Sequence, residues 1–364
     1  MPVSIHDIAT AVPQYHNAQS HIRDVMKSRL NADRKTQAII HRIYSQSGIE
    51  TRHSVLDDFT PEGEGGFFLN GVDHIKVPGT AQRNVRYTEA SRLLFTQVGE
   101  HLLSNNPHIK KEEITHVVTV SCTGFYAPGP DYELVKSLGL SPATQRFHVG
   151  FMGCYAAFPA MKMAEAFCKA DPNAVVMIVC CELCTLHFQG KTDVDSLLSC
   201  SVFGDGAAGV LISAKPSPKT HLQVQHFAST LAMEGEKDMA WNIGDTGFDM
   251  VLSTYVPSII EENLEGVVTP IIQQYNLNLD DVDYWAVHPG GRAILDKVEQ
   301  SFEVKPAKLE ASRSTLAKHG NMSSATVLFV LKELMDSNPE SGSKVVPMAF
   351  GPGLTIESGL FEVA

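Results

Sequence analysis

No apolar run in the 364 residues is long enough to span a bilayer, and the start, MPVSIHDIATAVPQ, lacks the basic residues and long apolar stretch of a secretory signal. It reads as a strand followed by a turn, and a cytoplasmic address is the expectation. Positive charge is scarce. With 29 Lys and Arg against 41 Asp and Glu, the formal net charge is -12, whereas a nucleic-acid binder needs a dominant positive field. Any anionic ligand must therefore be held by a local patch. Cysteine is missing from most of the chain: Cys122, Cys154, Cys168, Cys180, Cys181, Cys184 and Cys200 are all there are. They show no disulfide-framework spacing and are odd in number, so they read as free thiols. Low-complexity tracts and heptads are absent too.

What is present is a globular composition, 43% hydrophobic and 19% charged, in a chain too long for one ordinary core. Two packed halves are expected, residues 1–213 and 221–364, separated by AKPSPKT (Ala214 to Thr220). Short β-branched runs alternate with helical patterns: HVVTVSC, a helix near Pro130 to Leu138, a strand from Gln145 to Val149, a helix opened by Cys154, then AVVMIVCCE. The second half offers a helix from about Phe248 to Tyr275, a strand from Asp283 to His288, a helix opened by Asn321, and SKVVPMAFGPG. This pattern predicts mostly parallel βαβ units and an α/β sandwich in which two duplicated sheets are layered with helices.

The halves align with each other. ITHVVTVSCTG falls on VDYWAVHPGG, and MGCYAAFPAMKMAEAF on HGNMSSATVLFVLKEL, so that Cys122 matches His288 and Cys154 matches Asn321. Such a duplication can converge Cys154, His288 and Asn321 on one pseudo-twofold axis, with Cys as nucleophile, His as base and Asn as donor. Cys154 after Gly153 at a helix start is placed where unpaired N–H groups and the helix dipole favour a thiolate; a buried structural thiol is the alternative. His288 runs into Pro289-Gly290-Gly291, which presents its ring at a turn. Asn321 alone could be an N-cap, and with His288 it could form an oxyanion pocket for a thioester enolate. CCELCTLH (Cys180 to His187) is rejected as a zinc site, because strand alternation sends neighbouring thiols to opposite faces. FGDGAAG (Phe203 to Gly209) and AFGPGLT (Ala349 to Thr355) lack a dinucleotide fingerprint and read as tight turns beside the catalytic centre. Arg34, Lys35, Arg42 and Arg52 could hold a phosphorylated carrier or be a solvated helix face.

GCYAAFPAMKMAEAF, SVFGDGAAGVLI, AVHPGGRAILDKVE, HGNMSSATVLFVLKE and AFGPGLTIE together resemble the chalcone synthase-like (type III) polyketide synthases, homodimeric enzymes of the thiolase fold. The resemblance implies a layered αβαβα sandwich and a decarboxylating acyltransferase that needs no cofactor beyond its CoA thioester substrates and no metal. Cys154 would take the starter acyl group, and His288 and Asn321 would hold the malonyl thioester during decarboxylation. Phe203 would be the gatekeeper, with Met250, Trp241, Cys122, Thr123, Ala127, Cys184 and His187 around the substrate cavity. Small residues at Thr123, Ala127 and Cys184 match members that accept long-chain fatty acyl starters, the bacterial alkylpyrone and alkylresorcinol type. Glu182 and Ser323 match a water-activating hydrogen-bond network whose threonine is replaced by Cys122, which tilts the expected product towards an α-pyrone. At the CoA-tunnel entrance only Arg42 matches, so delivery by an acyl carrier protein stays open. A single-condensation ketoacyl synthase III-like enzyme and a non-catalytic thiolase-fold subunit are the competing readings.

Overall fold

Strands from both halves hydrogen-bond into one nine-stranded sheet in the computed structural model, which describes residues 2–30, 32–61, 65–70 and 74–364. The first half runs β1 (Val3–Ala11), β2 (Tyr15–Ala18), α1 (Gln19–Arg29), α2 (Arg34–Ser45), β3 (Thr51–Ser54), β4 (Leu69–Asn70), β5 (His74–Ile75), α3 (Thr80–Asn105), β6 (His116–Ser121), α4 (Pro130–Ser137), β7 (Gln145–Gly150), α5 (Ala157–Ala170), β8 (Val175–Leu183), α6 (Val194–Val202) and β9 (Asp205–Ser213). The second runs β10 (Leu222–Leu231), β11 (Met239–Gly244), β12 (Gly247–Leu252), α7 (Val256–Gln274), β13 (Tyr284–Val287), α8 (Arg292–Ser301), α9 (Glu310–His319), α10 (Thr326–Asp336), β14 (Lys344–Gly351) and β15 (Thr355–Val363).

The sheet order is β13-β14-β15-β10-β1-β9-β8-β6-β7. Read outwards from its middle, β1-β9-β8-β6 and β10-β15-β14-β13 have the same order and the same strand senses, antiparallel, antiparallel, then parallel. The duplication seen in the sequence is thus a duplication of topology, and β7 is the one sheet strand without a counterpart. Two expectations are corrected. The sheets are not separate, because β1 and β10 pair antiparallel through Val3–Val224, Ser4–Gln223 and Ile5–Leu222. Nor is the sheet mostly parallel: only β6–β7, β6–β8 and β13–β14 are.

Composition assigns the layers. In α5 and α10, small and large apolar residues such as Ala160, Ala164, Phe158, Leu328, Val330 and Leu331 leave little polar face, so these helices are buried in one inner core against both halves of the sheet. Amphipathic α3 covers the outer face of the first half through Leu94, Phe95, Val98 and Leu102, and α7 covers that of the second through Leu264, Val267, Val268 and Ile271. Buried on both faces, β8 and β9 are apolar along nearly their whole length. Residues 248–252, expected in a helix, form the second strand of a hairpin in which Trp241 faces Met250; α7 starts at Val256, with Pro257 in its first turn, where a missing N–H costs nothing. Among the described residues no helix is long and apolar enough to cross a membrane.

Candidate active site

Equivalent strands deliver equivalent residues. Cys122 follows β6 directly, and His288 follows β13. Cys154 lies in a turn that ends where α5 begins, three residues on, and Asn321 precedes α10 by five residues, across the short 3-10 turn Ser323–Ala325. Neither residue is the first of its helix, as the sequence had suggested. Gly153 has φ +81°, and a Cβ there would lie 2.4 Å from Pro352 Cδ, so the Gly351-Pro352-Gly353 turn rests on the loop that carries Cys154.

Cys154 Sγ is 3.9 Å from both Oδ1 and Nδ2 of Asn321. The amide is oriented by its other contacts: Oδ1 accepts from the Ser323 N–H at 2.8 Å, while Nδ2 donates to the Gly290 carbonyl at 3.4 Å. Asn321 caps a turn and still turns a donor towards the thiol. The backbone of His288 is fixed by its N–H donating to the Met348 carbonyl at 2.8 Å, yet both ring nitrogens are buried without a hydrogen-bond partner among the described residues. Turn geometry does not expose the ring as expected; it is 1% accessible. Burial pushes the His288 pKa down to about 3 and the Cys154 thiol up to about 11, against the pull of hydrogen bonds from Ser323 and Asn321. The thiolate expected from the helix dipole is therefore outweighed by desolvation. A neutral thiol and a neutral imidazole rest there, and burial opposes a lasting charge on either.

A cavity of about 390 Å³ opens on Cys154, walled by Cys122, Thr123, Cys184, Phe203, Trp241, Met250 and Ser323. A second, larger cavity shares the walls Cys184, Phe203, Trp241 and Met250 and reaches Ile22, Met26, Phe59, Phe188 and Ser199. Phe203 ends α6 and stands between the two. Its carbonyl and that of Cys200 accept from the buried Arg52 guanidinium at 2.5 and 2.8 Å, and Arg52 also donates to Gln19. Arg52 is thus a structural cation at a helix C-terminus and not part of a surface patch. The Trp241 indole donates to the Cys122 carbonyl at 2.8 Å, which lays it across the cavity. His187 lines the larger cavity as a neutral ring, Nε2 donating to the Thr123 carbonyl and Nδ1 accepting from the Phe248 N–H.

Two placements differ from expectation in the single chain. Ala127 is exposed and lines neither cavity. Glu182 does not pair with Ser323: Oε1 accepts from Ser324 Oγ at 2.5 Å, and Oε2 from Thr123 Oγ1 at 2.8 Å and the Cys122 backbone N–H at 3.0 Å. The Cys122 thiol faces the Gly153 N–H instead, at 3.0 Å. Burial raises Glu182 to about 7, so it holds a proton part of the time near neutrality. Ser324, which sequence reasoning passed over, stands beside Ser323 in NMSSA, and only the turn decides which hydroxyl meets the carboxyl. Cys180 and Cys181 point to opposite faces of β8, all seven thiols are free, and no group of side chains among the described residues could hold a metal. Arg42 is exposed on α2, its Nε donating to Gln46.

Two family models match the chain: the N-terminal domain of chalcone and stilbene synthases over residues 2–216, and the C-terminal domain over residues 223–363. Among solved structures it is similar to PKS-I of the brown alga Ectocarpus siliculosus, at 26% identity and TM-score 0.90, covering 100% of this chain and 98% of that one. The C-terminal type III polyketide synthase domain of Steely1, a type I/III hybrid from Dictyostelium, is 26% identical with TM-score 0.91 over 100% and 99% of the two chains. The bacterial type III polyketide synthase that makes 1,3,6,8-tetrahydroxynaphthalene in Streptomyces coelicolor A3(2) is 27% identical with TM-score 0.89 over 99% of each.

Proposed function

The chain belongs to the chalcone and stilbene synthase family and has its thiolase-like fold, and from that premise we propose that it is a type III polyketide synthase that loads a long-chain acyl starter on Cys154. Enzymes of this family are acyltransferases that use acyl-CoA and malonyl-CoA and need no further cofactor. The observation that carries the starter assignment is the larger cavity, which shares the walls Cys184, Phe203, Trp241 and Met250 with the one at Cys154 and is lined further on by Ile22, Met26, Phe59 and Phe188. Each methylene buried there contributes about 0.8 kcal/mol.

In the loading step Cys154 gives its proton to the neutral His288 ring, Sγ bonds to the starter carbonyl carbon, and CoA leaves as its thiol with that proton. Malonyl-CoA then loses CO₂. The electron pair of the broken C–C bond passes to the thioester oxygen as an enolate, which donors from His288 and Asn321 stabilise in a water-poor site. The enolate carbon attacks the acyl group, and the Cys154 thiolate departs for the next round. An α-pyrone forms when an enol oxygen of the extended chain attacks its own thioester carbonyl, the C–S bond breaks, and CoA leaves as its thiol with the enol proton. Lactonisation of this kind is supported by the missing link between Glu182 and Ser323 and by a Cys122 thiol turned to the Gly153 N–H. One observation favours a resorcinol: Thr123 lies on the cavity wall with its hydroxyl on Glu182. Incubation with malonyl-CoA and a ladder of acyl-CoA starters, with products identified by mass spectrometry, tests the reading; a single C2 extension would point to the ketoacyl synthase III-like alternative, and no product to a scaffold subunit. A homodimer is part of the proposal, supported by the open edge of β7 and the exposed Leu93, Phe125 and Tyr132 on the neighbouring elements, and light scattering on the purified protein checks it.

A further inference from the structure

The stretch AKPSPKT that separates the halves in the sequence ends, in the fold, where they join. There β1, the end of that stretch and the C-terminal part of α10 wall a third cavity with His6, Asp7, Lys219, His221, Lys332 and Asp336. Asn321 precedes the start of α10, so the active site and this cavity sit at opposite ends of one helix. A bulge puts His6 there. The register of β1 against β9 slips between Ile5 and Asp7 and leaves His6 as the extra residue. β10 slips in the same way against β15, with Gln225 as its extra residue. The bulge belongs to the repeated plan, and the histidine does not.

The His6 side chain is buried. Its Nε2 lies 2.7 Å from Ser213 Oγ, which accepts from the Lys215 N–H at 3.1 Å. Ser213 is fully buried, and its hydroxyl hydrogen has His6 Nε2 as its acceptor, which places the proton of the neutral ring on Nδ1. That nitrogen is buried without a partner among the described residues, a donor left unmet. Cationic side chains gather round it. His221 stacks on the His6 ring at 6.3 Å between centroids, and His108 lies 5.9 Å from it. Lys219 reaches Asp7 at 3.5 Å and the Asn105 carbonyl at 3.4 Å, while Lys332 pairs with Asp336, which is mostly exposed. Such pairs contribute little, so both lysines can turn to a stronger acceptor. Asp7 would keep Asn106 Nδ2, at 3.0 Å, as its donor. Burial and the neighbouring His108 and His221 push His6 down to about 4, so its ring brings a donor without a charge.

We propose that this cavity binds a phosphate group, with His6 Nδ1 and the ammonium groups of Lys219 and Lys332 as donors. A tetrahedral oxyanion accepts from several directions at once, which suits donors carried on β1, the segment before β10, and α10. A divalent cation does not suit it: His6 keeps a proton on its unpaired nitrogen, two lysines repel the charge, and no group of side chains among the described residues could hold a metal. Ile5, Leu222 and Met335 complete the wall and can take the apolar body of a phosphate ester.

Calorimetric titration of the whole protein with inorganic phosphate and with phenyl phosphate reads the site without turnover. Phosphate should bind with a Kd on the order of 1 mM or tighter, and sodium chloride at matched ionic strength should give no such heat. Lys219→Gln and Lys332→Gln should each weaken binding about tenfold, whereas Arg42→Gln should leave it unchanged. Both lysines are at the surface, and an unaltered Tm without ligand checks that their variants fold. In protein with labelled histidine, one ring resonance, missing from His6→Gln, should move as phosphate is added. Tighter binding of phenyl phosphate identifies a phosphate ester as the ligand, and equal or weaker binding identifies free phosphate. No binding of either probe, or binding that both lysine variants retain in full, overturns the proposal.

Discussion

Filling the larger cavity should convert a long-chain enzyme into a short-chain one, and Ser199→Phe is the cleanest way to fill it. Ser199 lies on α6, is 9% accessible, lines that cavity and has a hydroxyl without a hydrogen-bond partner among the described residues, so its loss removes no bond seen there. A phenyl ring there that excludes about four methylenes of a bound alkyl chain removes roughly 3 kcal/mol of binding, a factor of about 200 in kcat/KM for a long starter. A short starter that stops before Phe203 should lose little. The assay is the ratio of kcat/KM for a long and a short acyl-CoA, in wild type, Ser199→Phe and Ala127→Phe, with Tm measured alongside because overpacking costs about 1–3 kcal/mol of stability. Ala127 is exposed, so its variant should keep the wild-type ratio. Equal loss with both starters in Ser199→Phe at unchanged Tm, or a ratio that moves in Ala127→Phe instead, would refute the placement of the chain.

Intact-protein mass spectrometry after incubation with acyl-CoA should show a covalent adduct that Cys154→Ala abolishes; an adduct that persists or maps to Cys122 or Cys184 removes Cys154 from its role. Asn321→Ala and Asn321→Asp both delete the donor and should slow malonyl-CoA decarboxylation by about 10²–10³, but only the alanine leaves the Ser323 N–H unpaired, at about 1–3 kcal/mol of stability; decarboxylation at the wild-type rate in Asn321→Asp would exclude the donor role. Gly153→Ala should lose activity through a clash with Pro352 and a disfavoured φ, and an active, equally stable variant would show that the loop has room to move. His187 is held neutral, its pKa lowered to about 3 by burial, so as pH falls below 6.5 the unfolded chain takes a proton that the folded one refuses and stability drops by up to about 1.4 kcal/mol per pH unit. Urea unfolding at pH 7 and pH 5 should show a shallower drop in His187→Gln than in wild type, and parallel drops would contradict the assignment.

Internal repetition was the legible part of this sequence because it is written in strand and helix periodicity, which both halves share. The pairs Cys122 with His288 and Cys154 with Asn321 occupy equivalent topological positions for that reason. Where the halves join was not legible: β1 pairs with β9 by long-range contact and with β10 through three residue pairs, and nothing local in VSIHDIATA announces two partners. Residues 248–252, the second strand of the β11–β12 hairpin, read as helix because FDMVL carries no clear alternation, and their strand character comes from the facing MAWNI. Side-chain size suggested Ala127 as a tunnel wall, but the course of the chain after β6 carries it to the surface. Which serine of NMSSA meets Glu182 is a one-residue choice that the sequence does not show: Ser324 bonds the carboxyl, while Ser323 has φ +47°.

Arginine shows most plainly what residue type leaves undecided. Arg42 and Arg52 are ten positions apart in one basic stretch and look interchangeable as phosphate ligands, yet Arg52 is 5% accessible and spends its N–H groups on Gln19 and on the carbonyls of Cys200 and Phe203. Its charge serves the end of α6 and so fixes the backbone of Phe203, the residue between the two cavities. Removing it would leave buried carbonyls unpaired and move that aromatic ring, so loss of activity in an Arg52 variant would say nothing about phosphate binding. Accessibility decides between the two roles: a cation that binds a ligand has to keep its donors in solvent until the ligand arrives, and Arg52, with its N–H groups spent inside the protein, does not meet that condition.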